Sequence, residues 1–440
     1  MFKNTIAKYF SKAHVINNTK QYWKNAGIVI ISIIIGKSFS FIWKTILARL
    51  GPQAIGSTEL ILSIFTILTM FSVLGFQTST IRFMSIGMRK KNNDSTIPLI
   101  LTAFKITLII SIIIAVMFMV FPNILGILFQ KSLMDLHFEN YVWALPSFVL
   151  IEMILAYFIG KQKTLSYAVG KYVLQPLFRV ILLISFLLVK FPIHSVIPIH
   201  VIGVSILTSF VLFISIAQTV MKNFLKAVSK QSIWKFIKYT LPMSGSLILF
   251  TLYGAMDILI LSHFTDIQTV GKYAVIVLIA EIPSITFAPF LNMFQSYLAF
   301  YHKNRKTGAI FTGINILLFI LAGTIAGLII YAFRNLIFQI FFTTEYMYYL
   351  PYLWILMFIR ISDEAIVLPL RHFLDFYGYV RITFFVMAFV LIVKLLTGLL
   401  TVPNLGVLGI LYMQGVAVFV HIILTVFFFL RFSLLKRTSS

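Results

Sequence analysis

Residues 27–91 read GIVIISIIIGKSFSFIWKTILARLGPQAIGSTELILSIFTILTMFSVLGFQTSTIRFMSIGMRKK. Two mostly apolar runs, each about long enough to cross a bilayer as a helix, meet at Leu50-Gly51-Pro52. The second run ends in Arg82, Arg89, Lys90 and Lys91. Basic residues where a returning span ends mark the cytoplasmic side. The stretch therefore predicts a pair of membrane helices.

The same pattern continues in both directions. Apolar runs predict spans at about 26–48, 54–80, 97–121, 141–160, 172–190 and 196–220, then 240–262, 272–300, 309–332, 350–372, 380–402 and 406–431. The fold class is thus an all-α integral membrane protein of about 12 transmembrane helices. Composition agrees: 60% of residues are hydrophobic, 11% are charged and the mean hydropathy is +1.00, far from the roughly 25% charged content of soluble domains.

Loop charge sets the orientation. Of 36 Lys and Arg, 25 fall in the terminal segments and alternate loops that share a side with the N-terminus. Five (Arg49, Lys131, Lys190, Lys272 and Arg334) fall on the other side, and six lie within spans. This bias predicts both termini in the cytoplasm and a multi-pass protein of the bacterial cytoplasmic (inner) membrane. The formal charge of +24 is then a topology signal, and no nucleic-acid partner is expected. The first 25 residues carry five lysines before any apolar run, which does not suit a cleaved signal. They read either as a basic tail or as a short helix on the inner leaflet, with Ile6, Tyr9, Phe10 and Ala13 on one face.

The halves resemble each other weakly. QAIG (53–56) matches QTVG (268–271) at an offset of 215, and FPNIL (121–125) matches FRNLI (333–337) at 212. Six helices per half is an even number, so a duplication gives a parallel repeat about an axis along the membrane normal, around a central cavity. The expected organisation is 1–220 as an N-terminal six-helix bundle, 221–239 as a basic cytoplasmic connection, and 240–440 as a C-terminal six-helix bundle.

Ionisable groups inside spans face the bundle interior by default and mark a pathway or a structural pair. Lys37 and Lys44 share one face of the first span. Lys37 is close to mid-membrane. It reads either as a site for an anionic group or as one member of an ion pair with Glu152 or Glu59. Arg179, in QPLFRV, has a guanidinium fork suited to phosphate and is expected in the inner half, or else against carbonyl groups near the interface. Arg360, Asp363 and Glu364 stand at i, i+3 and i+4, so they can pair along one helix face. Glu152 aligns with Glu364 at the offset of 212. Glu152, Asp363 and Glu364 are therefore candidates for structural or gating ion pairs. Asp257 and Glu281 are candidates for ion or proton coupling, with neutralisation by Lys394 or Lys44 as the alternative.

Other chemistries find no support. The chain has no cysteine. His194 and His200 lack a metal-ligand spacing. There is no phosphate-binding GxxxxGK[ST] loop, no nucleophile motif and no cofactor motif. A membrane enzyme would rest on Asp135, His137 and Glu139 in the 122–140 loop, which is short and apolar. A major-facilitator transporter would need GxxxDR where this chain reads SIGMRKKNND.

Ile46 to Ser85, with Leu50-Gly51-Pro52, Gly56, Leu74-Gly75 and Arg82-Phe83, resembles the junction of the first two helices in bacterial polysaccharide (O-antigen) flippases. These belong to the multidrug/oligosaccharidyl-lipid/polysaccharide exporter superfamily. Leu241-Pro242, Asp257, Val270-Gly271 and Tyr273 are similar to the start of that family's second bundle. FFTTEYMYYLPYLWIL and PNLGVLGI resemble later segments. The resemblance implies two six-helix bundles in a V, and a transporter rather than an enzyme. The implied substrate is a polyprenyl-pyrophosphate-linked oligosaccharide flipped from the inner to the outer leaflet by alternating access. Lys37, Lys44, Arg179 and Arg360 are expected to hold its phosphates. Membrane lipids and glycan polymerase or glycosyltransferase proteins are the expected partners. The alternative is a multidrug/cation antiporter of the same superfamily, using Asp257 or Glu281.

Overall fold

The computed structural model describes residues 13–89, 93–121, 138, 141–190, 193–223, 230–285, 294, 298 and 305–434. The described residues are almost wholly helical. The first half contains α1 (Ala13–Arg49), α2 (Pro52–Val73), α3 (Phe76–Arg89), α4 (Asn93–Val120), α5 (Leu145–Gly160), α6 (Thr164–Leu188), α7 (Ile193–Ile214) and α8 (Ala217–Asn223). The second contains α9 (Lys230–Phe264), α10 (Ile267–Ala280), α11 (Ile282–Ile285), α12 (Arg305–Ala332), α13 (Arg334–Phe341), α14 (Leu353–Ser362), α15 (Leu368–Phe376), α16 (Val380–Leu405) and α17 (Val407–Leu434).

Ten of these stretches are long and apolar enough to cross a membrane, and α7 with α8, bent by 66°, makes an eleventh. The expected span at 350–372 is present but interrupted: a π turn, Asp363–Val367, joins α14 to α15. Large apolar side chains on the outside of the bundle, such as Leu188 (78% exposed) and Leu400 (75%), require lipid rather than water around them. This is a multi-pass membrane protein.

Two expected boundaries move. Helix α1 continues unbroken through residues 13–26, while residues 1–12 and any surface helix there lie outside the described residues. The basic connection expected at 221–239 is largely helical, because α8 runs to Asn223 and α9 begins at Lys230. Residues 122–137 and 139–140, with Asp135, His137 and Glu139, also lie outside the described residues.

The turn at the end of α1 falls between the first two expected spans. Gly51 adopts φ +121, a conformation side chains disfavour, and Pro52 opens α2, where no N–H donor is needed. The repeat then explains how the halves meet. Helix α2 packs along α10, and the two glycines paired by the 215-residue offset touch. A Cβ on Gly56 would lie 2.1 Å from the Ile267 carbonyl oxygen, and one on Gly271 would lie 1.8 Å from that of Pro52. Each segment contacts its own equivalent, as elements beside a two-fold axis must. Only glycine permits so close an approach of backbones.

That contact belongs to a seal at the Arg49 end of the helices. The Arg49 guanidinium donates to the carbonyl oxygens of Ile340 and Phe341. The Tyr346 hydroxyl donates to the Ala48 carbonyl oxygen at 2.7 Å, and Phe41 meets Phe341 edge to face at 5.1 Å. At the lysine-rich end the halves touch through α3 and α9, where Ser79 and Thr240 share a hydrogen bond of 2.7 Å. There the face of α1 carrying Ile31, Ile34, Ile35 and Lys37 is exposed.

Candidate functional site

The helices distribute charge unevenly. Of the twelve ionisable residues expected within spans, the first half holds four bases (Lys37, Lys44, Lys105, Arg179) and two acids (Glu59, Glu152). The second holds two bases (Arg360, Lys394) and four acids (Asp257, Glu281, Asp363, Glu364). The formal balance is +2 against −2.

In the second half Asp257 is the hub. Helix α9 buries it to 3% exposure. Lys394 of α16 lies 2.6 Å from its Oδ1, and Arg360 of α14 lies 3.3 Å from its Oδ2. Gln414 of α17 donates to Oδ2 at 2.5 Å and to the Tyr273 hydroxyl at 2.6 Å. Lys394 also donates to the Tyr253 carbonyl oxygen at 2.7 Å and sits 4.1 Å from that ring's centroid. Four spans and α10 are thus tied at one carboxylate.

Arg360 does not pair along its own helix as the i, i+3, i+4 spacing predicts. The π turn begins at Asp363 and shifts the phase of the residues after it. Asp363 lies 3.6 Å from His421 Nδ1. Glu364 and Glu281 make no ion pair among the described residues, although their charges act on one another and Arg360 acts on both. Sequence reading named Lys394 as one partner of Asp257, and it missed Gln414, Tyr273 and His421. A polar Gln and a His within the apolar α17 run were the available signal.

In the first half, Lys44 pairs with Glu59 of α2 at 2.7 Å. Glu152 of α5 pairs with Lys171 of α6, also at 2.7 Å, so the alignment of Glu152 with Glu364 does not extend to their partners. Lys37 is exposed on α1, midway along the Gly27–Arg49 span. It has no ion pair among the described residues, yet its charge reaches Glu364 in the other half.

Arg179 is displaced from its expected level. Its span starts at Thr164, earlier than the apolar run suggests, and contains a π turn at Val169–Leu174. Arg179 therefore stands nine residues before Leu188, on the Arg49 side of the middle. Its guanidinium lies 4.6 Å from the Trp43 ring centroid and lines a small void with Trp43, Leu62, Phe148, Gln175 and His200. No group of three or more His, Asp or Glu positioned for a metal occurs among the described residues.

Known proteins supply the remaining context. The chain matches the polysaccharide biosynthesis protein family over residues 22–294. It belongs to that family. No curated protein matches it in sequence. In fold it is similar to the lipid II flippase MurJ in an inward closed conformation, with a TM-score of 0.67 at 14% identity, covering 92% of this chain and 90% of that one. It is also similar to an inward-facing multidrug resistance MATE family transporter of the MOP superfamily, with a TM-score of 0.66 at 13% identity and coverage of 94% and 99%. A third likeness is to a MOP superfamily transporter from Pyrococcus furiosus, described as having a binding pocket of reverse polarity. There the TM-score is 0.64 at 14% identity, with coverage of 92% and 95%. These likenesses show that this member of the polysaccharide biosynthesis protein family shares its fold with them.

Proposed function

We propose that this family member flips a polyprenyl-pyrophosphate-linked oligosaccharide from the inner to the outer leaflet of the bacterial cytoplasmic membrane. Alternating movement of two six-helix halves, 1–220 and 240–440, exposes the space between them to one side and then the other. The observation that carries the reading is Lys37: a mid-span ammonium that is exposed, has no ion pair among the described residues, and is near enough to Glu364 of the other half for its charge to be felt there. An exposed, uncommitted cation at that depth is available to a phosphate, whereas one needed only for structure would have found a carboxylate.

In this reading both termini are cytoplasmic and the Arg49 end is the outer side, so the described state is closed outward. Lys37 meets the pyrophosphate first. Lys44 and Arg360, each already facing a carboxylate, join by exchanging partners as the halves move. The sugar occupies the wet space and the prenyl tail stays in lipid. Glu281, without an ion pair, carries the coupling ion or proton; Asp257 is held by two cations and keeps the second half rigid. The protein performs no covalent chemistry, and its partners are the lipid-linked glycan, membrane lipids and the enzymes that make or polymerise the glycan.

The multidrug/cation antiporter is the competing reading. It requires an acid free to take a cation, and the best buried acid, Asp257, is already saturated. A deletion strain separates the two: surface glycan should vanish and return with the wild-type gene, while drug susceptibility stays unchanged. Intact surface glycan with increased drug susceptibility would replace the flippase reading with the antiporter.

A further inference from the structure

The segment joining the halves is strongly basic. Residues 221–240 hold Lys222, Lys226, Lys230, Lys235 and Lys238, and the chain has no Asp or Glu between Glu152 and Asp257. Helix α8 turns 66° from α7. With 22 residues, α7 is about 33 Å long, enough to cross the hydrocarbon core by itself. A helix bent so far from a spanning one runs closer to the membrane plane than to its normal.

The inward face of this segment is already occupied. Phe236 of α9 stacks on Phe76 of α3 at 5.6 Å and meets Phe83 edge to face at 4.9 Å. Val220 of α8 packs on the same apolar cluster. The first turns of α9 therefore sit on the first half, while Asp257, further along the same helix, is the hub of the second. The outward groups are of another kind. Met221 is 81% exposed and Trp234 65%. Lys222, beside Met221, and Lys238, one turn after Trp234, are exposed too. Neither lysine makes an ion pair with a described residue. Large apolar groups interleaved with lysines suit the boundary between lipid chains and headgroups. Indole and thioether enter the edge of the chains, while the ammonium groups reach the phosphates.

We propose that α8 and the first turns of α9 bind anionic phospholipid, with headgroup phosphates on Lys222 and Lys238 and acyl chains against Met221 and Trp234. Charge selects the lipid. A lysine-rich segment with no acid of its own attracts an anionic surface and gains nothing comparable from a zwitterionic one. The contact ties to one leaflet a helix that belongs to both halves. It requires only that the chain span a membrane, so it stands whether or not the flippase reading does.

The test uses full-length protein in vesicles of phosphatidylcholine with a minor fraction of phosphatidylglycerol. Bromine, a quencher of indole fluorescence, sits on the upper acyl chains of the phosphatidylglycerol in one series and of an equal amount of phosphatidylcholine in the other. The membranes then carry the same charge. The Trp234 contribution is the difference between the wild type and Trp234→Phe. At low ionic strength its quenching constant should be at least about fivefold larger in the first series, the preference one lysine near an anionic surface provides. Lys222→Gln combined with Lys238→Gln should lower that ratio at least about twofold. Potassium chloride at about 1 M, where charges are screened within about 3 Å, should bring it near one. Inorganic phosphate should act no more strongly than chloride at equal ionic strength. All three substituted side chains are exposed, so the variants should fold. A wild-type ratio near one, quenching of Trp234 by neither lipid, or a ratio unaltered by the double substitution overturns the proposal. So does a loss specific to inorganic phosphate, which would make the segment a site for free phosphate instead.

Discussion

In the second half of the molecule, Asp257 receives Lys394, Arg360 and Gln414 at once. In the first, Arg179 and Lys37 meet no carboxylate among the described residues. Both halves place charge in the membrane at similar cost, and they offset it differently. The second pairs both of its span cations with Asp257 and so cross-braces its helices, while Glu281 and Glu364 stay outside any ion pair among the described residues. The first leaves two cations outside any ion pair among the described residues, and on the proposed reading such uncommitted charge is a place to bind. The partition follows from composition, four bases with two acids against the reverse.

The largest effect should come from breaking the committed cluster. Asp257→Asn leaves Lys394 and Arg360 buried without their shared counter-charge. A loss of about 3–5 kcal/mol is expected, read as a marked drop in the melting midpoint in detergent and in membrane protein level. A variant that melts like the wild type would show that the cluster is not what holds α9, α14, α16 and α17 together.

Next comes the contact between the halves. In Gly271→Ala the new Cβ meets the Pro52 carbonyl oxygen at 1.8 Å, and a backbone atom has little room to yield. Overpacking costs about 1–3 kcal/mol, and this clash belongs at the upper end. The halves can relieve it by parting at the Arg49 end. The native chain has no cysteine, so Ala48→Cys gives a clean reporter of that seal. Its maleimide labelling should rise at least about fivefold in the Gly271→Ala background. Unchanged labelling would mean that α2 and α10 adjust without opening.

Lys37→Ala tests the uncommitted side. Export of surface glycan should fall about tenfold or more, as expected for losing a charge-assisted contact worth about 1.5–3 kcal/mol. Stability should move by less than about 0.5 kcal/mol, because the residue is exposed and unpaired. A fall in protein level matching the fall in glycan would move Lys37 into the structural class with Lys394.

The contrast also explains what the sequence could convey. Spans, orientation and repeat are set by long apolar runs and by loop charge, both local properties. The QAIG and QTVG glycines were visible as a faint echo, and their meaning came only when Gly56 and Gly271 met. Partners were less legible. Helical spacing places Asp363 and Glu364 beside Arg360, and the π turn at Asp363–Val367 undoes that register. Arg179 looked like an inner-half residue because the apolar run begins after Lys171, while the helix begins at Thr164. Trp43 and His200 gave no signal at all, since an aromatic ring in an apolar helix is ordinary and its place beside Arg179 appears only in three dimensions.

The smallest effect sharpens the comparison at the seal. Tyr346 is fully buried, and its hydroxyl donates to the Ala48 carbonyl oxygen across the halves. Burial pushes its phenol above the ordinary value, with the nearby Glu345 charge adding to the shift. A raised value keeps the phenol protonated, hence a donor, across the neutral and mildly alkaline range. The bond therefore adds no pH dependence there and would be lost only far above neutrality. Tyr346→Phe removes one neutral hydrogen bond worth about 1 kcal/mol, which corresponds to about a fivefold shift toward the open seal. Labelling of the Ala48→Cys reporter should rise by about that factor once rates are corrected for thiolate content, and the increment should be constant between pH 6 and pH 9. A corrected increment that varied within that window would place a charged group at the seal, making the contact between the halves a third electrostatic region rather than a neutral clasp between two differently charged ones.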